Sequence, residues 1–224
     1  MIGAAATRCP TAQRGMVLLM GLLLLASLSV LAIAAASDSQ LQLRVAANLD
    51  REARALQAAR AAGTWAEQWL LSLSQAPLPR ACVTDCGEPA PVRVAGTYPA
   101  RPEHEPETWW LDHGLADGID PLDGTRLAEA GDAPAGRWIV EELQREARAD
   151  ATTGTAVDVA WYRIVARAPM APSGPAVVVE SLLARPWGAA EWFDPLPRAA
   201  TSESFCAALW SRLPCGRQAW RRRQ

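Results

Sequence analysis

Apolar positions change rhythm three times along the chain. From Met16 to Ala36 there is no charged residue, and a run of about 21 residues at 1.5 Å rise reaches roughly 31 Å, the thickness of a bilayer core. The run then becomes periodic, with Leu41, Val45, Leu49, Ala53, Leu56, Ala59, Gly63, Ala66, Leu70 and Leu73 falling at steps of three and four. Those steps draw one apolar line on an α-helix, and Arg44, Asp50, Arg51, Glu52, Arg54, Arg60, Glu67 and Gln68 fall largely off it. No proline lies between Met16 and Gln75, so the pattern predicts one helix, membrane-spanning over 16–36 and amphipathic over 37–75. A coiled coil, or a core helix after a linker, would show the same stripe.

The third rhythm is that of strands. Seven prolines from Pro77 to Pro106 break any helix over 76–108, with Val92–Ala95 a short edge strand at most. Trp138-Ile139-Val140, Ala156–Ala168 and Ala176–Ala184 are rich in β-branched and aromatic residues, and the turn-forming residues 169–175 separate the last two. The expected fold class is α+β: a small antiparallel sheet, within an outer domain of residues 76–186, packed on the long helix. In the remaining extension, 187–224, Phe205, Leu209, Trp210 and Leu213 predict a short amphipathic helix.

Charge sets the orientation. Arg8 and Arg14 are the only charges before the apolar run, which keeps residues 1–15 cytoplasmic and sends the rest outward. A net charge of -2 over 224 residues offers no field for nucleic acid. All 22 basic residues are arginine, so mechanisms that need a lysine, such as Schiff-base chemistry, are excluded.

Three fates of the N-terminus fit the pattern. Ala34-Ala35-Ala36 before Ser37 could end a secretory signal, although the apolar run is longer than such a signal needs. An uncleaved anchor is the second. The third rests on Gln13-Arg14-Gly15-Met16-Val17-Leu18-Leu19, a short basic leader ending in glycine before an apolar helix, which resembles a prepilin peptidase site. The resemblance implies cleavage between Gly15 and Met16 and N-methylation of Met16. Leu43 to Arg60, with Asn48, Gln57, Ala58 and Ala59 in matching places, is similar to the helix of PilX-type minor pilins, although Ala47 and Leu56 replace the usual glycine and aromatic residue. Residues 137–143, 161–167 and 176–181 resemble the closing strands of that family, whose usual end lies before residue 187.

The resemblance implies a pilin-like roll and a non-enzymatic structural subunit in type IV pilus assembly or initiation. Its partners would be other minor pilins, the major pilin, the prepilin peptidase and inner-membrane lipid, with no nucleic acid, no small-molecule substrate and no cofactor. The outer domain would be periplasmic and would enter the pilus. Major pilins carry a glutamate as fifth mature residue, where this chain has Met20; an intramembrane acid costs at least about 2.5 kcal/mol and is kept only with a partner, so its absence points away from a bulk subunit. A GspK-type pseudopilin of type II secretion, or a membrane-tethered periplasmic binding domain, is the alternative.

Once such a leader is removed, four of five cysteines remain on the oxidising side: Cys82, Cys86, Cys206 and Cys215. Three pairings are open. Cys82 with Cys86 and Cys206 with Cys215 are favoured because each closes a short loop. His104 and His113 sit among acidic residues without the spacing of a zinc motif, and Pro102 and Pro106 predict an exposed loop there. Asp117 to Gly124 lacks the ligand order of a calcium loop and reads as turn chemistry. Trp109-Trp110 is the best candidate for carbohydrate stacking, with packing the commoner use. No catalytic residue and no metal ligand is nominated.

Overall fold

The structure, a computed structural model, describes residues 14–73, 81–82, 92–121, 124, 136–171, 174–187, 205–207, 209 and 212–223. The chain divides into two units, Met1–Asp50 and Arg51–Gln224. Helix α1 (Arg14–Ser72) begins in the first and ends in the second. Most of its sequence is alanine, leucine, arginine and glutamine, all strong helix formers, and it contains no proline. Cys86, and residues 74–75 at the expected end of the helix, lie outside the described residues.

In the second unit α1 is followed by β1 (Arg93–Val94), a 3-10 turn (Pro102–His104), α2 (Glu107–His113), β2 (Leu115–Ala116), β3 (Arg137–Ala149), β4 (Ala156–Pro169), β5 (Ala176–Trp187) and β6 (Gly216–Arg223). The strands form one six-stranded sheet of order β1-β3-β4-β5-β6, with β2 also on β3. The three long strands anticipated from composition pair antiparallel in sequence order, as a meander. The sheet as a whole is mixed, because β1 pairs parallel with β3. The fold is thus α+β.

Each face of the sheet has its own core. On one, Ala58, Ala59, Ala62, Ala66, Trp69 and Leu70 of α1 pack with Trp138, Tyr162, Ile164 and Leu183. Small residues dominate the helix side because the backbones come close. A Cβ on Gly136 would stand 2.7 Å from Ala62 Cβ and 2.9 Å from the Ala58 carbonyl oxygen, so only glycine fits at the entry to β3. On the other face Tyr98 and Trp110 cover Ile139, Val165 and Val178. The predicted stripe therefore holds from Ala59 through Gly63, Ala66 and Leu70, but earlier the buried line runs through Ala55 and Ala58, leaving Ala53 exposed and Leu56 half-buried.

The C-terminal residues differ most from expectation. A C-terminal extension with a short helix is expected over 187–224, and within it residues 216–223 form the sheet's sixth strand, antiparallel to β5. Before it, Phe205, Leu209 and Leu213 enter the helix-side core; Trp210, the fourth residue of the expected short helix, lies outside the described residues. The amphipathic signal stops short of β6 because an edge strand rich in arginine has no apolar alternation to read.

Candidate functional site

Two regions combine exposed or charged chemistry with definite geometry. The first is the apolar part of α1. Thirteen large hydrophobic residues from Met16 to Ile33 are exposed, Met20 at 54% and Leu18 at 72% among them, and this is the one helix among the described residues long and apolar enough to cross a membrane. Its polar groups are satisfied internally. Ser27 donates to the Leu24 carbonyl, Ser29 to Leu25, Ser37 to Ile33 and Ser39 to Ala35, at 2.8–2.9 Å. A hydroxyl returned to its own helix carries no unpaired donor into an apolar medium. Gly15 and Met16 lie in the first turn of α1; residues 1–13 are outside the described residues.

The second region is the strap that β6 makes over the helix and sheet of the second unit. The ladder between β5 and β6 shifts register at Leu182/Leu183, where Ala219 and then Arg217 are the partners and Gln218 is passed over. That bulge turns Arg217 to the same face as Trp220. Arg217 then meets Glu67 at 2.7–3.0 Å and the Thr64 hydroxyl at 3.3 Å, the Arg60 guanidinium lies 4.9 Å from the Trp220 ring centre, and Arg222 pairs with Glu52. Glu52, Arg60 and Glu67 are spaced eight and seven residues apart, which returns them to one face of α1.

On the opposite sheet face a charge ladder crosses β3 to β6. Glu141, nearly fully buried, accepts from the Gly96 and Tyr98 amides at 3.2 Å each and from Arg163 at 2.8 Å. Glu180 meets Arg163 at 3.3 Å and Arg221 at 2.8 Å, and Arg223 binds Glu103 at 2.8 Å. Burial pushes the Glu103 carboxyl up, but its own backbone amide and Arg223 outweigh this and hold its pKa below the ordinary value. Asp150, at the β3–β4 turn, is likewise held low: the Thr152 and Thr153 amides and Arg212 together outweigh its desolvation.

One arginine serves the helix end. Arg185 of β5, fully buried, donates to the carbonyls of Leu70 and Leu73 and lies 3.6 Å from the Trp187 ring centre. The last turn of α1 has no basic residue of its own, so a strand supplies the positive charge that the helix C-terminus favours. Burial lowers the Arg185 pKa to about 9, which leaves it charged at neutral pH. Sequence gave no signal for this role, because the two partners are more than a hundred residues apart.

The remaining nominated residues are placed as follows. Cys206 and Cys215 are bonded, with Cα atoms 5.2 Å apart. Cys82 is disulfide-bonded and forms a bridge to Arg93 at the sheet margin. The expected exposed loop around the histidines is instead the 3-10 turn, ending at His104, and α2, ending at His113. His113 stacks on Trp109 at 4.7 Å between ring centres and gives its Nδ1 proton to the Trp109 carbonyl at 2.9 Å. Trp110 is buried and donates to the Pro102 carbonyl at 3.0 Å, a packing role that withdraws it from carbohydrate stacking. No cluster of three metal-ligating side chains occurs among the described residues. Asp117 and Gly118 form a turn, and Asp120 accepts from Trp69 Nε1 at 3.3 Å.

In comparisons with known proteins, no family model, no curated protein and no solved structure matches this chain.

Proposed function

We propose that this chain is a PilX-type minor pilin, held in the inner membrane by the apolar part of α1 and acting as a structural subunit when a type IV pilus is initiated. The observation that carries this reading is the exposed, uncharged run Met16–Ala36, opening directly after Gly15 in a helix that continues to Ser72. Thirteen large apolar side chains without partners among the described residues amount to about 20 kcal/mol of unmet burial even at the low end of about 1.5 kcal/mol each. Lipid, and later the helices of other subunits, would supply it.

The roles of the residues follow from that environment. Cleavage after Gly15 leaves the Met16 amine at the start of the helix, and the whole apolar run stays on the mature chain. Transfer from lipid to a bundle of helices brings little hydrophobic gain, since both surroundings are apolar; close packing and hydrogen bonds between helices drive it. Met20, in place of an acid, spares the helix a buried charge and leaves it with nothing to offer a neighbour's amine, which suits a subunit at the leading end of a fibre. The meander with its arginine–glutamate ladder is then the periplasmic domain.

Intact-mass analysis of protein from envelopes tests the reading: the mature chain is expected to start at Met16 with one added methyl group. A chain starting at Ser37, or one retaining residues 1–15, would refute it.

A further inference from the structure

A cavity of about 350 Å³ opens between α1 and strands β4, β5 and β6 of the second unit, within the range of about 300–1,000 Å³ that small-molecule sites occupy. Its floor is apolar: Gly63, Ile164, Ala166 and Val179. Glycine at 63 helps to keep it open, since a Cβ there would already touch Ala166 at 3.6 Å and Val179 at 3.8 Å. The Glu67–Arg217 pair closes one wall and is internally neutral.

Two lining groups are left with unused capacity. Ser181 is only 4% exposed, and its hydroxyl has no hydrogen-bond partner among the described residues. Ser181 lines the cavity, so its hydroxyl can meet a polar group that enters it. Arg60 has the Trp220 ring beside its guanidinium but no carboxylate partner among the described residues. It is solvent-exposed, as is Trp220, and its charge is the unbalanced one of the wall.

From these groups we infer that the cavity is a binding site for a small organic monocarboxylate with a short aromatic body and a polar group at its far end. The carboxylate meets Arg60, the body lies on the apolar floor beside Trp220, and the far hydroxyl meets Ser181. A cation is disfavoured by Arg60, and a dianion meets no second unpaired cation among the described lining residues. A bound ligand would touch both α1 and β6 and so brace the strap. The inference concerns binding alone and stands independently of the pilus reading.

The test is titration calorimetry on the full chain in lipid nanodiscs, with 4-hydroxyphenylacetate as the probe and phenylacetate and tyramine as its two truncations of chemistry. Saturable binding of 4-hydroxyphenylacetate is expected, with phenylacetate several-fold weaker and tyramine not bound. Arg60→Gln, at an exposed position where folding is not at stake, should weaken the probe about tenfold or more, the loss of one charge-assisted hydrogen bond. Ser181→Ala removes an unpartnered hydroxyl and should bring 4-hydroxyphenylacetate down to the affinity of phenylacetate without changing the latter. Absence of saturable binding at millimolar probe, equal binding of tyramine, or unchanged affinity in Arg60→Gln would each overturn the assignment. Protection of β6 amides from hydrogen exchange should also rise with probe and fail to do so in Arg60→Gln; a rise that persists in Arg60→Gln counts against the site.

Discussion

The two parts of α1 invert the usual relation between hydrophobicity and burial. Up to Ile33 the helix carries leucine, isoleucine, valine and methionine, and these are exposed; from Ala55 to Leu71 five of its eight buried core residues are alanine, and these meet the sheet. In a water-soluble helix the larger apolar side chains would be the buried ones. The difference teaches that the two parts are fitted to different surroundings: the first is long and apolar enough to cross a membrane, and the second packs on a sheet. The first needs large apolar area all around and no particular neighbour. The second needs a thin stripe, because Ala58 and Ala62 stand against the backbone at Gly136 and larger residues would push the helix off the sheet.

The comparison can be broken most forcefully from the packed side. Trp138 is fully buried, with its ring centre 5.4 Å from that of Trp69. Trp138→Ala should destabilise the second unit by about 3–5 kcal/mol, seen as a lower melting temperature of near-ultraviolet circular dichroism, while flotation with membranes is unchanged. Loss of flotation together with melting would show that the two parts are not energetically separate.

A slightly smaller effect is expected from the other side. Leu23→Arg places a charge in the uncharged run and should cost insertion about 2.5–3.5 kcal/mol, read as the fraction of protein extracted by alkaline carbonate. The melting temperature of the second unit should stay at the wild-type value. If carbonate extraction is unaffected, the apolar run is not in lipid.

The mildest test uses acid. Glu103 and Asp150 have pKa values held below their ordinary 4.5 and 3.8. A depressed carboxylate stabilises the fold above its unfolded-state value and loses that contribution as pH falls through the folded-state value. Stability of the second unit should therefore begin to decline as pH drops below about 4.5, and Arg223→Gln should flatten that decline by releasing Glu103. The run Met16–Ala36, with no titrating side chain, should keep its helicity throughout. An acid profile identical in Arg223→Gln would remove the charge ladder from the account of how β6 is held.

The legible parts of the molecule were those fixed by local rhythm. The helix over 16–72 followed from an absence of prolines and an unbroken 3.6-residue pattern, and β3, β4 and β5 followed from dense β-branched runs with turn residues between them. Phase was harder. Ala53 and Leu56 sat on the drawn stripe as well as Ala55 and Ala58 do, and nothing in an alanine-rich stretch ranks one line above the other. The Pro-rich stretch concealed α2, whose single buried anchor, Trp110, is too little for a periodic signal.

The amino-acid sequence alone determined where the chain is apolar, where it bends and which segments prefer helix or strand, because those depend on neighbours a few residues apart. Tertiary structure decided what long-range pairing alone can settle. It made β6 a strand by giving it β5 to pair with and a bulge that aims Arg217 at Glu67. It closed the end of α1 with Arg185, 115 residues beyond Leu70. It also set the line of α1 that is buried, because Ala58 and Ala62 are the residues that come so close to Gly136 that a Cβ there would stand 2.9 Å and 2.7 Å from them.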